Sequence, residues 1–163
     1  MLYRALVFVH IGAAACWVGG LLFFALVLVP VIRRSRDARM AELVRAVGLR
    51  FRLVGWVSLA VLIATGIANL LYRAPLSTLA DAAFWLSDFG RLLLLKLALV
   101  ALMLLVSVAH DVVGVRASAA ALREPAAGST RALRVTASRL GRLVAGLALS
   151  ILFVAVLLVR GSG

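Results

Sequence analysis

Four long apolar stretches, separated by segments that carry most of the charge, dominate the sequence. They run approximately from Ala5 to Val29, Leu53 to Tyr72, Leu92 to Val113 and Leu143 to Val159. A helix needs roughly 20 residues to cross a hydrocarbon layer of about 30 Å, and each stretch falls within the spanning range. The pattern therefore predicts an all-α integral membrane protein, with four transmembrane helices in a single domain over residues 1–163.

Composition and charge placement support a lipid environment. Hydrophobic residues make up 65% of the chain, against roughly 45–50% in ordinary soluble domains. The formal net charge of +12 would fit a nucleic-acid-binding protein if the arginines lined one soluble face with aromatic residues between them. They lie instead between the apolar stretches, where membrane proteins carry the charges that meet lipid head groups. The sequence thus excludes a soluble enzyme and a nucleic-acid binder, and it predicts a lipid bilayer around the chain.

The arginines also orient the predicted helices, because cytoplasmic loops retain an excess of positive charge. Thirteen arginines lie in the first and third connections, and four lie elsewhere. We therefore expect both termini and the loop over residues 73–91 on the extracytoplasmic side of the inner (plasma) membrane. The thirteen are Arg33, Arg34, Arg36, Arg39, Arg45, Arg50, Arg52, Arg116, Arg123, Arg131, Arg134, Arg139 and Arg142.

The connections between the apolar stretches carry further signals. Pro30 is predicted to end the first helix, and the apolar spacing from Asp37 to Arg50 indicates a short interfacial helix. The connection over residues 116–138 is rich in Ala, Ser and Thr and contains a proline and a glycine, so we predict a mostly flexible loop. An aromatic belt at the membrane surface is predicted from three residues of the outer loop, Phe84, Trp85 and Phe89.

Two ionisable residues are predicted inside the membrane near its outer side. Inserting a charged side chain at the centre of a transmembrane helix costs about 2.5–3.5 kcal/mol, so the presence of such a residue needs a reason. Lys96 is the only lysine in the sequence and lies about 8 Å from Arg91 along its helix. It is either part of a functional site or a residue whose side chain extends back to the membrane interface. His10, on one helix face with Trp17, either binds a metal or haem iron, handles a proton, or hydrogen-bonds a neighbouring helix.

Asn69 extends this polar set on the second helix. It shares one face with Ser58 and Thr65, at spacings of eleven and four residues. It also lies near the outer end of its helix, at the level of His10 and Lys96. Asn69 is therefore a candidate for the same site, with ordinary interhelical hydrogen bonding as the alternative.

Other residues with ligand chemistry are interpreted separately. Met103 carries a thioether, which is a soft copper ligand in principle. Cys16 projects about 120° away from the face of His10 and is interpreted as a packing residue. His110 is interpreted as an interfacial residue beside Asp111 that caps the third helix.

Three segments, taken in order, carry a family pattern. His10 to Leu22 places a histidine before small residues and then Trp-Val-Gly-Gly. Arg50 to Asn69 places Arg-Phe-Arg before a helix that ends Ala-Thr-Gly-Ile-Ala-Asn, and Phe89 to Val100 begins Phe-Gly-Arg-Leu-Leu-Leu-Leu-Lys-Leu. Over roughly Val7 to Val113 the chain resembles the copper-resistance D (CopD/PcoD) family. It is also similar to the four-helix HemJ-type protoporphyrinogen oxidases, which pair a first-helix histidine with a third-helix lysine.

The resemblance implies a copper-handling protein of the inner membrane that acts in copper uptake or tolerance. The resemblance carries over two site residues, His10 and Lys96. Together with the side-chain chemistry above, we expect His10 and Met103 as ligands of a copper ion. We expect His10, Lys96, Trp17 and Asn69 around a cofactor. We do not expect an enzyme. The expected partners are a periplasmic copper chaperone, or a haem-related protein, and further copies of the chain.

Two alternatives stay open at this point. The first is a haem- or porphyrin-binding protein, or a HemJ-like protoporphyrinogen oxidase, that holds haem b with His10 as an axial ligand. Lys96 would then pair with a propionate or act as a base, and any catalysis would be a membrane oxidoreductase reaction on a porphyrin. The second is a small structural subunit whose polar residues only fix helix packing.

Overall fold

The computed structural model describes residues 1–34, 38–124 and 128–160, and within these ranges every element is a helix. Four of the described helical stretches are long and apolar enough to cross a membrane, which confirms the predicted all-α class and the four spanning helices. They are Leu2–Val31, Ala46–Arg73, Asp88–Arg123 and Gly128–Arg160. In chain order the helices are α1 (Leu2–Phe23), α2 (Val29–Arg34), α3 (Ala38–Arg73), α4 (Leu76–Ala80), α5 (Ala82–Leu86), α6 (Asp88–Arg123) and α7 (Gly128–Arg160).

The chain divides into two compact units, Met1–Asp81 and Ala82–Gly163. The first contains α1 to α4, and the second contains α5 to α7. Each unit is built on two long helices that pack side by side. The single domain over residues 1–163 and the extracytoplasmic position of both termini stay predictions.

In the first unit, α1 and α3 run antiparallel. The rings of Tyr3 and Tyr72 lie 5.8 Å apart at one end of the pair, and those of Phe24 and Phe51 stack at 4.6 Å at the other. A Cβ atom on Gly20 would overlap the Phe51 ring, so the missing side chain is what lets this ring lie against α1. This register places α1 opposite the second half of α3.

Pro30 does not end the first helix, contrary to the prediction. A π-helical segment, Phe24–Leu28, follows α1, and the chain continues through Pro30 as α2. A proline lacks the amide hydrogen and its ring clashes with the carbonyl four residues earlier. The wider turn just before Pro30, in which the Val29 amide bonds to the Phe24 carbonyl, lets the helix pass the proline instead of stopping.

The predicted interfacial helix over Asp37 to Arg50 is also not a separate element. From Ala38 onward these residues form the first part of α3, which runs unbroken to Arg73; Asp37 lies outside the described residues. The sequence has no proline between Pro30 and Pro75, so nothing interrupts the backbone hydrogen bonds of this helix. The helix ends just before Pro75, as expected for residues that precede a proline.

The second unit begins with a tight turn between α5 and α6. The Ser87 hydroxyl accepts a hydrogen bond from the Gly90 amide at 3.1 Å and donates one to the Phe84 carbonyl, so Ser87 caps the start of α6. A Cβ atom on Gly90 would overlap the backbone of Phe84, which makes glycine necessary for this close approach. The centroid of the Phe84 ring lies 5.2 Å from that of Trp85 and 6.0 Å from that of Phe89. Their role as an aromatic belt stays a prediction.

The predicted flexible loop over residues 116–138 is wrong for the part of it that the structure describes. Helix α6 continues to Arg123 and α7 begins at Gly128; residues 125–127 lie outside the described ranges. The alanines that suggested a loop are the strongest helix formers, and the two helices extend against each other. Thr130, with 1% of its surface exposed, donates to the Glu124 carbonyl at 3.0 Å and joins the two ends.

Candidate functional site

His10 lies against α3 in the first unit. Its Nδ1 atom is 2.8 Å from the Thr65 Oγ1 atom. The next residue, Gly66, lies beside the ring, and a Cβ atom there would be 3.5 Å from the His10 Cε1 atom, an ordinary contact distance. The antiparallel register of α1 and α3 thus brings together two residues that are 55 positions apart in the chain.

The hydrogen bonds of Thr65 favour a proton on the Nδ1 atom of His10. The Thr65 hydroxyl has one hydrogen, and it is donated to the Val61 carbonyl at 2.6 Å. Toward His10 this hydroxyl therefore acts as an acceptor, and the Nδ1–H group of His10 is the donor. In the neutral imidazole the lone pair is then on Nε2. This is the arrangement that metal-binding histidines use when a neighbouring group holds the other ring nitrogen.

Trp17 and Asn69 lie on either side of this contact along the helix pair. Trp17 is 5% exposed, and a Cβ atom on Gly55 would lie 3.7 Å from the indole Cδ1 and Nε1 atoms. Asn69 lies one turn from Thr65 on the same helix, and its Oδ1 atom is buried with no hydrogen-bond partner among the described residues. A buried acceptor that makes no hydrogen bond is costly, so it marks a place where a donor or a cation would be stabilised.

The polar face of α3 is as predicted. Ser58 and Thr65 are each only 7% exposed, and Asn69 continues the same face. Sequence reasoning treated Thr65 only as a neighbour of Asn69, although its hydroxyl turns out to be the partner of His10. The four-residue spacing from Asn69 places Thr65 on the same helix face, and this was the only indication in the sequence that Thr65 belongs to the site.

Lys96 and Met103 belong to the second unit, on α6. Lys96 is half-buried, and Met103 is 4% exposed. The predicted pairing of His10 with Lys96, and the predicted shared copper ligation by His10 and Met103, both join residues of different units and stay predictions. Cys16 is exposed, in accord with its projection away from the face of His10.

His110 does not cap a helix, which corrects the prediction. Helix α6 continues to Arg123, so the carbonyls around His110 are paired within the helix and need no cap. Its Nδ1 atom lies 3.9 Å from the Asp111 Oδ1 atom. Its Nε2 atom faces α7, where a Cβ atom on Gly141 would lie 3.3 Å away. The sequence alone carried no signal for the contact with Gly141.

Among the residues that the structure describes, no group of three or more His, Cys, Asp or Glu side chains is placed to hold a metal ion. Any metal bound here therefore needs other donors as well.

Comparison with known proteins identifies the family. Residues 44–158 match the family described as copper resistance protein D, which is more than half of the chain. The chain belongs to the copper resistance protein D family. With its four apolar helices, this member of the copper resistance protein D family is a multi-pass membrane protein related to copper resistance. The matched range includes Lys96, Met103 and His110, and His10 lies before it.

The chain is also similar to an uncharacterized protein of Aquifex aeolicus (strain VF5). The two are 41% identical over 63 residues, which cover 38% of this chain and 43% of that relative. The match thus spans less than half the length of the relative. No solved structure matches the chain.

Proposed function

We propose that this protein handles copper in the inner membrane, in uptake or tolerance, and that His10 binds the ion through its Nε2 atom. The observation that carries the proposal is the hydrogen-bond chain from the His10 Nδ1 atom through the Thr65 hydroxyl to the Val61 carbonyl. In a neutral imidazole this chain holds the proton on Nδ1, leaves the lone pair on Nε2 and fixes the ring orientation, as a histidine metal ligand requires.

Two further residues are proposed as soft or neutral donors. Met103, in the second unit, offers a thioether, a soft donor of the kind that suits copper(I). Asn69 adds a buried amide oxygen on the same face as Thr65. Lys96 is a cation when protonated, so in this proposal it is kept away from the ion, paired, or neutral. An extracytoplasmic copper chaperone is the proposed source of the ion.

A haem- or porphyrin-binding role is the second candidate, because the same observation favours it. A neutral imidazole with its lone pair on Nε2 is the axial ligand of many haem proteins. In this role Lys96 would pair with a propionate group. The bound haem b would supply redox chemistry, and His10 and Thr65 would hold it and set its orientation.

One set of measurements on detergent-purified protein separates the candidates. Copper bound per chain is measured by elemental analysis, and haem is detected by its Soret absorption band. We expect about one copper ion lost in His10→Ala and no change in Cys16→Ser, which removes the exposed thiol as an alternative soft ligand. A Soret band that disappears in His10→Ala would support the haem role instead. Absence of both ligands from the wild-type protein would contradict both and leave the structural subunit.

A further inference from the structure

Helices α6 and α7 are longer than a membrane crossing requires. Helix α6 has 36 residues and α7 has 33, whereas roughly 20 helical residues span the hydrocarbon layer. Their apolar stretches, over residues 92–113 and 143–159, account for the crossing. The remaining segments, residues 114–123 of α6 and 128–142 of α7, therefore extend beyond the hydrocarbon layer. We call these two segments together the hairpin end.

The hairpin end is helical and packed, so its side chains stay at fixed distances from the membrane. Neither α6 nor α7 contains a proline. Ala117 and Thr130 are buried between the two helices, and the Thr130 hydroxyl donates to the Glu124 carbonyl at 3.0 Å. A flexible loop would let its arginines fold back onto the lipid surface, whereas two packed helices do not.

The hairpin end carries a high positive charge. Between residues 114 and 142 the sequence has six arginines and a single carboxylate, Glu124, which gives a formal net charge of +5. All six arginine side chains are exposed. The four on α7 lie within an arc of about 140° around the helix, and the buried residues Thr130 and Val144 lie outside this arc. The six are Arg116, Arg123, Arg131, Arg134, Arg139 and Arg142.

Distance from the membrane divides these arginines into an inner and an outer group of three. At 1.5 Å per residue, the inner three lie within about 6 Å of the apolar stretches and the outer three lie about 14–18 Å from them. The head-group layer is about 5–8 Å thick on each side, and attraction to anionic lipid falls off within a Debye length of about 8 Å. Lipid head groups therefore account for the inner group but not for the outer group. The inner group is Arg116, Arg139 and Arg142, and the outer group is Arg123, Arg131 and Arg134.

An exposed leucine accompanies the outer arginines. Leu122 is 89% exposed, directly precedes Arg123 and lies about 14 Å beyond the apolar stretch of α6, so it does not reach the lipid chains. Residues 114–142 include no aromatic side chain on which the bases of a nucleic acid would stack. A leucine beside guanidinium groups instead suits a protein segment that offers both carboxylates and an apolar side chain.

We propose that the hairpin end, through Leu122 and the outer arginines, is a docking surface for an acidic segment of a partner protein. Guanidinium groups pair with carboxylates in a bidentate geometry, and the partner would remove the Leu122 side chain from water. The orientation expected from the arginines places this surface in the cytoplasm. The proposal is independent of the ion or cofactor proposed for His10.

The test uses the full chain in phosphatidylcholine nanodiscs and a fluorescein-labelled peptide of repeated Glu-Glu-Leu, whose binding is measured by fluorescence anisotropy. We expect this peptide to bind and a peptide of repeated Gln-Gln-Leu not to bind. Arg131→Gln combined with Arg134→Gln should weaken binding about 3–30-fold, as the loss of two exposed ion pairs predicts, and Leu122→Ser should also weaken it. Arg116→Gln combined with Arg142→Gln removes the same charge at head-group level and is the matched control, with unchanged affinity.

The same two double variants separate a protein partner from a lipid. Native mass spectrometry measures how much phosphatidylglycerol stays bound to each, and we expect the inner variant to lose this lipid and the outer variant to keep it. Loss of the lipid in the outer variant would overturn the proposal, as would equal peptide affinity in the two double variants or no peptide binding by the wild type. An oligonucleotide of equal charge that binds as tightly as the peptide would also overturn it.

A spin label tests the position of the hairpin end directly. The label is attached to Leu122→Cys in a Cys16→Ser background, and electron paramagnetic resonance measures its collisions with a water-soluble nickel complex and with oxygen. We expect the nickel complex to reach the label, because this position lies beyond the head groups. A label that is reached by oxygen alone would place the hairpin end in the lipid and overturn the docking surface.

Discussion

Replacing Thr65 by valine tests whether its hydroxyl prepares His10 to bind a ligand. Valine keeps the branched shape and removes the acceptor that lies 2.8 Å from the His10 Nδ1 atom. Interhelical hydrogen bonds in membrane proteins contribute about 0.6 kcal/mol on average and at most about 1.7 kcal/mol. We therefore expect Thr65→Val to remain folded, with a loss of stability within that range.

The effect on ligand binding should be larger than the effect on stability. Loss of the group that holds a metal-binding histidine lowers metal affinity about 10–100-fold, and each tenfold corresponds to about 1.4 kcal/mol. Without the acceptor, the proton of the neutral ring is no longer held on Nδ1, and the lone pair is no longer kept on Nε2. Thr65→Ser keeps the hydroxyl and is the matched control.

Three measurements check this reasoning. Copper(I) affinity is measured by chelator competition, stability by unfolding in SDS, and the protonated ring nitrogen by ¹⁵N NMR of labelled histidine. We expect Thr65→Val to bind 10–100-fold more weakly and Thr65→Ser to bind as the wild type does. Equal affinity in all three proteins, or an Nε2–H tautomer of His10 in the wild type, would refute the role given to Thr65.

Two further predictions concern the second unit, and unfolding in SDS measures both. Gly90→Ala should destabilise the protein by about 1–3 kcal/mol, because the new Cβ atom would overlap the backbone of Phe84. Gly114→Ala is the control on the same helix: its Cβ atom would have no neighbour within 4 Å, so this variant should be neutral or slightly stabilising. Similar losses of stability in the two variants would contradict the steric explanation. Thr130→Val should cost about 0.5–1.5 kcal/mol, because it removes the hydrogen bond to the Glu124 carbonyl. An unchanged unfolding midpoint would show that this contact does not hold the ends of α6 and α7 together.

Several features were predictable because they depend on local sequence. Length and hydrophobicity are enough to specify helices that cross a membrane, and the four apolar stretches lie inside the helices that the structure shows. The family followed from three short motifs in order, and the match over residues 44–158 confirms it. The helix ends were predicted less well. Alanine-rich segments were taken for loops, although alanine favours the helix and the packing of α6 on α7 stabilises it.

The polar contacts depended on the tertiary structure. The bond between His10 and Thr65 joins residues 55 positions apart, and the sequence does not state the register of α1 against α3 that creates it. The same holds for His110 and Gly141, which meet only because α7 folds back along α6. The hydrophobic contribution of each residue depends on its own apolar surface, so the sequence alone determines which segments enter the membrane. Hydrogen bonds and ligand geometry need two groups at a defined distance and angle, and only the packed helices provide that.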